Sequence, residues 1–241
     1  MPDVSIITAV APRPANRLDL IHRALDAAEA SWEWLLQIDG DEDGGALPPD
    51  VRADPRVRVQ ANGRREGIAL TRNRALARAR SPLLLNADSD DVPVAGALDR
   101  LAAAFADPAV GLAFGDWVEQ WPGGDEWRPQ ARFAPGLQAP GTIGRIWAAE
   151  RWVPLHLAGA MWRTTAVLAA GGWTALAGGS DIGLMLGVDA AWASWYVPGE
   201  TFVYHHHEHQ VTAGDRWRGL FEQDTELLAA RAHALGFTVA R

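Results

Sequence analysis

The stretch Ser81-Pro82-Leu83-Leu84-Leu85-Asn86-Ala87-Asp88-Ser89-Asp90-Asp91 changes polarity within two residues. Three leucines after a proline read as a buried strand of a parallel sheet. Asp88, Asp90 and Asp91 then crowd its carboxyl end, where like charges repel and stabilise nothing by themselves. A hard divalent cation removes that repulsion, and carboxylate oxygens suit Mg²⁺ or Mn²⁺. Ligands of open α/β sheets bind beyond the carboxyl ends of strands, so the stretch reads as a metal site that also holds a substrate phosphate. Pro93 is expected to block any continuation of the strand, and the competing reading of the cluster is an Asp-rich turn that caps the following helix.

Three further groups of residues could do chemistry. Tyr204-His205-His206-His207-Glu208-His209-Gln210-Val211-Thr212 suggests zinc by composition, but neighbours on a strand alternate faces and cannot all reach one ion. Asp181, in Gly179-Ser180-Asp181, reads from residue type alone as a helix N-cap, a role Ser180 could also fill. Trp117, Trp121 and Trp127 accompany a Pro-, Gly- and Trp-rich stretch over 119–140, which reads as a mobile loop or lid. Their rings either stack on a sugar or, the preferred reading for any one of them, pack beneath that loop.

The elements that must position these residues follow from periodicity. Residues 4–10, 34–38 and 57–60 are strand patterns. A helix capped by Asn16 or Asp19 runs to about residue 30, with Leu18, Ile21, Leu25 and Ala28 on one face. Ala11-Pro12-Arg13-Pro14 and the acidic run Asp41-Glu42-Asp43 read as loops. Gly67 opens a second helix on which Arg72, Arg74, Arg78 and Arg80 read mostly as a solvated face. The β-α-β-β-α-β order predicts a mostly parallel, helix-covered sheet. Further on come a helix over 94–106, a strand over 110–118 interrupted by Gly111 and Gly115, and a helix over 142–150. A strand over 156–162 and a short helix after Arg163 precede Gly171-Gly172-Trp173. Strands over 192–197 and 201–204 flank Pro198-Gly199. A last helix, capped by Asp215, carries Trp217, Leu220, Phe221, Leu227 and Leu228 as an apolar stripe for its own domain, a homodimer or, less readily given its mixed flanking charge, a membrane surface.

Composition narrows the function. The chain has 241 residues, 48% of them hydrophobic, enough for a sizeable core. A net charge of −8 argues against nucleic-acid binding. No apolar run reaches the length of a membrane span, and the first strand pattern begins at once, without a signal-peptide pattern. With no cysteine there is no disulfide framework, and a cytoplasmic location is expected. The chain contains no lysine, so phosphates must be met by Arg, His, backbone or metal. Neither a P-loop nor Gly-x-Gly-x-x-Gly follows the first strand.

Taken in order, Val4-Ser5-Ile6-Ile7-Thr8-Ala9, Asp39-Gly40, Gly67-Ile68-Ala69-Leu70-Thr71-Arg72-Asn73 and Leu85-Asn86-Ala87-Asp88-Ser89-Asp90-Asp91 resemble the family-2 glycosyltransferases of the A-type glycosyltransferase (GT-A) fold. The resemblance implies an α/β GT-A fold: a Rossmann-like, mostly parallel sheet flanked by helices, with a mixed acceptor-side half. It implies one domain over 1–241, with a nucleotide-sugar-binding half over 1–93, an acceptor and catalytic half over 94–214, and a C-terminal helix over 215–241. Thr8 and Ala9 would line the nucleotide pocket, Asp39 would meet the base, Arg72 the diphosphate, and Asp88 and Ser89 the nucleotide-sugar. Asp90 would ligate Mn²⁺ or Mg²⁺, and His207 matches a family histidine that would join it. Gly171-Gly172-Trp173 resembles the run before the family's acidic pair, which moves Asp181 from cap to catalytic base, with Ser180 where the family has an acid.

The implied activity is inverting transfer from a UDP- or GDP-sugar to a small-molecule or saccharide acceptor. A sugar-nucleotide-forming nucleotidyltransferase is the alternative within the fold, weakened because 11–14 lack glycines. A non-catalytic nucleotide-sugar-binding protein is the alternative outside catalysis, favoured by Ser180.

Overall fold

The computed structural model describes residues 1–11, 16–40, 47–210 and 215–239, with the side chains of Asp215 and Arg216 left aside. The expected loops over 12–14 and 41–43, Val211-Thr212, and the Asp215 cap lie outside the described residues.

The first half alternates as its periodicity requires: β1 (Val4–Val10), α1 (Leu18–Asp26), β2 (Trp32–Ile38), α2 (Pro49–Ala53), β3 (Val57–Ala61), α3 (Ile68–Leu76) and β4 (Leu83–Asn86). The second half comprises β5 (Val92–Pro93), α4 (Ala97–Ala103), β6 (Val110–Gln120), β7 (Glu126–Trp127), β8 (Gly136–Gln138), α5 (Thr142–Glu150), β9 (Met161–Arg163), α6 (Thr164–Ala169), α7 (Ser180–Asp189), β10 (Ala193–His205) and α8 (Asp215–Ala234).

Among the described residues all strands join one ten-stranded sheet in the order β3-β2-β1-β4-β9-β6-β10-β5, with β7 on β6 and β8 on β10. β3, β2, β1 and β4 pair in parallel. Short β9 is antiparallel to both β4 and β6, so β6 and its parallel partner β10 point the same way as β4. The carboxyl ends of β1, β2, β4, β6 and β10 therefore share one edge, which brings Asp39, Asp88, Trp121 and His206 to the same rim.

Alternation along the strands splits the core. Ile6 and Val10 face a layer with Leu18, Ile21 and Leu25 of α1 and Leu98 and Leu101 of α4. Ile7 faces the other layer, with Ala75 of α3, Trp147 of α5, Leu184 and Met185 of α7, and Leu228 of α8. The stripe of α8 thus serves its own fold through Leu228 and Ala232, while Leu227 is exposed. No helix among the described residues is long and apolar enough to cross a membrane.

Several expectations need correction. Neither Asn16 nor Asp19 caps α1: Arg17 holds that position without a side-chain bond, and Asn16 bonds the Ala11 carbonyl instead. Pro93 does not stop β4, which ends at Asn86; it closes β5 and pairs with Phe202 at the sheet edge, where a missing N–H costs nothing. β6 is continuous, its glycines leaving room for neighbours: a Cβ at Gly115 would sit 2.3 Å from Thr201 Cγ2. The stretch over 119–140 is tied to the sheet by β7 and β8 rather than free. Of the expected strand over 156–162, only Met161 and Trp162 pair, in β9. The two strands around Pro198-Gly199 are one, β10, with shifted register at that point.

The arginines of α3 and its exit form a solvated face only in part, Arg74 and Arg80 being exposed. Arg72 is buried. Arg78 Nη2 donates to Gln37 Oε1 (2.9 Å), and Arg74 pairs with Glu66. Arg80 joins Arg58 and Ser5 on buried Glu33. Burial alone would push the Glu33 pKa up, but the Arg80, Ser5 and Arg58 hydrogen bonds outweigh it and hold the carboxyl at about 2.

Candidate active site at the carboxyl rim

After Asn86 the chain leaves the sheet, the Ala87 N–H making a last bond to the Ile7 carbonyl (3.0 Å). The turn that follows is clamped on both sides. Arg17 N–H donates to the Ser89 carbonyl (2.6 Å), Ser89 Oγ donates to Asn16 Oδ1 (2.7 Å), and β5 pairs with β10. The three carboxylates consequently diverge. Asp88 meets Arg72, Asp90 meets His207, and Asp91 turns inward to accept the His205 N–H (3.0 Å). The second Asp91 oxygen is buried without a partner. Burial first, then the charges of Asp88 and Asp90, raise its pKa well above the carboxylate range. The helix-cap reading of this turn fails, because α4 begins four residues beyond Pro93 with Gly96 at its cap.

Arg72 reaches Asp88 from α3, and its guanidinium lies 5.9 Å from the Trp173 ring centroid. Asp39 closes the start of the same helix, accepting the N–H groups of Glu66 (2.7 Å) and Gly67 (3.2 Å). Thr8 is buried toward the α1 layer, its hydroxyl accepting Trp34 Nε1–H (2.9 Å), whereas Ala9, on the α3 side, is partly exposed. Ser89 is buried in the turn. The rim thus brings Arg72, Asp88, Asp90 and His207 together with Ala9 and Asp39 nearby, while the side chains of Thr8 and Ser89 are spent inside the protein.

The histidines alternate as strand geometry demands. His206 Nε2 bonds Glu119 Oε2 (2.8 Å), and His207 Nε2 bonds Asp90 Oδ2 (3.0 Å). The His209 N–H donates to His207 Nδ1 (3.2 Å). An accepting Nδ1 leaves the proton of a neutral ring on Nε2, aimed at Asp90. Among the described residues, the set of potential ligand atoms lying mutually within 4.8 Å is instead His22, Asp26 and Asp54, far from this rim in sequence. That set already holds a cation: Arg56 Nη2 lies 2.5 Å from Asp26 and 2.6 Å from Asp54.

Asp181 stands in the first turn of α7, partly exposed, with Oδ1 accepting the Ile182 N–H (3.0 Å). Gly179, in the left-handed region, is the cap, so neither Ser180 nor Asp181 plays the N-cap part. Ser180 is buried. The loop before α7 is held by Asn73: its Nδ2 donates to the Trp173 carbonyl and its Oδ1 accepts the Trp173 N–H, both at 2.9 Å.

Sequence reasoning missed two members of this region. Asn73 lay inside a recognised motif, but an amide gives no hint of a partner one hundred residues away. His156 was read as part of a strand. It sits in a loop against Trp117, Phe202 and Tyr204, with ring centroids 4.7 to 5.9 Å apart. Burial lowers its pKa against the pull of Asp88, Asp181 and Glu119.

Comparison with known proteins places the family and the fold. The family model for Glycosyl transferase family 2 matches residues 5–166. No curated protein sequence matches the chain significantly. Among solved structures, S. aureus TarS 1-349 in complex with UDP-GlcNAc superposes with a TM-score of 0.72 at 16% identity, over 95% of this chain and 66% of that one. TarS 1-349 in complex with UDP gives 0.66 at 16% identity, over 95% and 65%. A longer TarS chain gives 0.66 at 16% identity, over 85% and 37%. The chain thus spans about two thirds of TarS 1-349. At this identity the likeness establishes the shared GT-A fold: a central, mostly parallel sheet flanked by helices.

Proposed function

Because the chain belongs to glycosyltransferase family 2, matched over residues 5–166, we propose that it transfers a sugar, with inversion, from a nucleoside-diphosphate sugar to an acceptor hydroxyl in a divalent-metal-dependent reaction. The observation that carries the reading is the meeting of Asp90 and His207, 117 residues apart, at 3.0 Å beside the Arg72–Asp88 pair. Residues 1–93 would hold the donor and 94–214 the acceptor, within one working unit.

The donor set fits a hard or borderline cation, since a carboxylate oxygen and an imidazole nitrogen converge on one point. Asp90 and His207 would hold Mn²⁺ or Mg²⁺ with diphosphate oxygens. Ligation through Nε2 requires the ring proton to move to Nδ1, so the His209 N–H contact must open. When bound, the cation stabilises negative charge on the departing nucleoside diphosphate. Arg72, already desolvated and anchored by Asp88, adds donors toward the same phosphates. Asp39 and Ala9 would face the nucleoside at the ends of β2 and β1. Asp181 would take the proton of the acceptor hydroxyl as its oxygen attacks the anomeric carbon from the side opposite the diphosphate. Ser180 has no comparable basicity, so Asp181 works without an acidic neighbour.

A thermal-shift and donor-hydrolysis screen tests this, with UDP- and GDP-sugars in Mn²⁺ or Mg²⁺; UDP-GlcNAc comes first, as the ligand of TarS. Asp181→Asn should keep the donor-induced shift and lose turnover by about 10² or more. Unchanged function in that variant would favour a binding protein. No response to any donor, with or without metal, would sink the proposal.

A further inference from the structure

Beside these carboxylates the sheet carries a row of rings that donor chemistry leaves unused. Tyr204 pairs with Glu119 across β10 and β6, and Trp127 pairs with Glu119 across β7 and β6. Residues opposed on a ladder share a face, and i+2 neighbours join them. Glu119, Trp121, Trp127, Tyr204 and His206 therefore lie on one side of the rim.

This face is organised from the inside outward. His156, under the influence of Asp88 and Asp181, lies 4.7 Å from Tyr204. Tyr204 meets His206 edge-on at 5.0 Å, and His206 stacks on Trp121 at 4.2 Å with 8° between ring planes. Glu119 is fixed twice, by His206 Nε2 (2.8 Å) and by Trp117 Nε1–H (3.2 Å). The hairpin turn holds Trp121, whose N–H donates to the Asp125 carbonyl (2.9 Å) and whose carbonyl accepts the Gly124 N–H (3.0 Å). With one face covered by His206, Trp121 is still 37% exposed, and Trp127 is 49% exposed. Packing beneath the loop, the reading preferred from sequence, does not hold for these two, and Trp117 is buried against Ala158 and Phe202 instead.

We infer that Trp121 and Trp127, with the Glu119–His206 pair at their edge, form the acceptor subsite, and that the acceptor is a saccharide stacked on Trp121. The inference rests on the glycosyl-transfer reading of the adjacent carboxylates. An immobilised indole offers a flat, electron-rich face to the C–H side of a sugar ring. The paired carboxylate and imidazole supply acceptor and donor for its hydroxyls. The surrounding Asp and Glu residues disfavour an anionic partner, and a purely apolar partner would leave the Glu119–His206 pair desolvated without a hydrogen bond.

Saturation-transfer NMR tests this with methyl glycosides and linear di- to tetrasaccharides of glucose, galactose, mannose and N-acetylglucosamine, using native protein, Trp121→Ala and Trp121→Phe. The same samples are titrated with UDP and GDP in Mg²⁺. At least one saccharide should receive saturation at its ring C–H protons. Its affinity should fall at least tenfold in Trp121→Ala and recover largely in Trp121→Phe, while the nucleotide titrations superimpose. The inference is overturned if native protein saturates no saccharide or if Trp121→Ala binds as well as native. It is equally overturned if Trp121→Ala loses nucleotide affinity instead, since the ring would then hold a base. If no form binds a nucleotide yet saccharide binding still depends on Trp121, the donor reading fails and the saccharide site stands.

Discussion

Asn73 clasps the backbone of Trp173 from both sides, donating to its carbonyl and accepting its N–H at 2.9 Å each. The clasp joins α3, which carries Arg72, to the segment leading into α7, which carries Asp181. It also leaves no room at Gly172, where a Cβ would lie 2.4 Å from Asn73 Oδ1 and the backbone φ is +75°. One amide thus fixes the proposed donor side and acceptor side relative to each other.

Removing that amide leaves two part-buried backbone groups unpaired. Asn73→Ala should cost about 2 to 3 kcal/mol in urea unfolding, and turnover should fall further than the stability loss explains at a temperature where the variant remains folded. Asn73→Asp, which keeps the acceptor and loses the donor, should cost less. Wild-type turnover in folded Asn73→Ala would show that the clasp does not position Asp181.

Metal dependence is expected to report on Asp90 and His207 unequally. Asp90→Asn should raise the Mn²⁺ concentration for half-maximal turnover by about tenfold to a hundredfold, and His207→Ala by about tenfold. EDTA should abolish native activity and added Mn²⁺ restore it. Full turnover in EDTA would remove the cation from the mechanism.

The first half of the fold was legible because its signals are local: β-branched and apolar runs, a glycine opening α3, and leucines before the Asp turn. β1 came out with its true bounds. The misreadings share a cause in tertiary contact. Pro198-Gly199 looks like a break until β6 supplies a partner for both flanks, and Pro93 looks like a stop until an edge position makes its missing N–H harmless. Arg72 looks solvated because nothing local reveals that Asp88 lies against it. The same limit holds at the site. The Asp turn and the His run were visible as clusters, but which carboxylate meets which histidine depends on the long parallel pairing of β10 with β6.

Glu33 should make the fold acid-sensitive. Its carboxyl is depressed from 4.5 to about 2, so its stabilisation is present above pH 4.5 and is lost as pH falls from there toward 2. The shift corresponds to about 3 kcal/mol. Urea midpoints of native protein and Glu33→Gln should differ most at pH 7 and converge as pH drops to 3. A gap that stays constant over that range would mean the carboxylate charge does not contribute.

Asp189 should act in the opposite sense. It is fully buried at the end of α7, and its Oδ2 accepts the Gly144 N–H of α5 at 2.7 Å. Burial outweighs the Gly144 and Ile143 hydrogen bonds and the Arg145 charge, raising the pKa from 3.8 to about 6. The folded state therefore holds the proton more tightly than the unfolded chain. The associated stability is complete below pH 3.8 and is lost as pH rises through 6, about 3 kcal/mol in all. Asp189→Asn keeps an oxygen for the Gly144 N–H and carries no charge at any pH. Its stability relative to native protein should therefore improve from pH 4 to about pH 6 and level off above that in parallel denaturant titrations. A difference independent of pH would place the Asp189 pKa outside that window and make the residue a simple tether between α7 and α5.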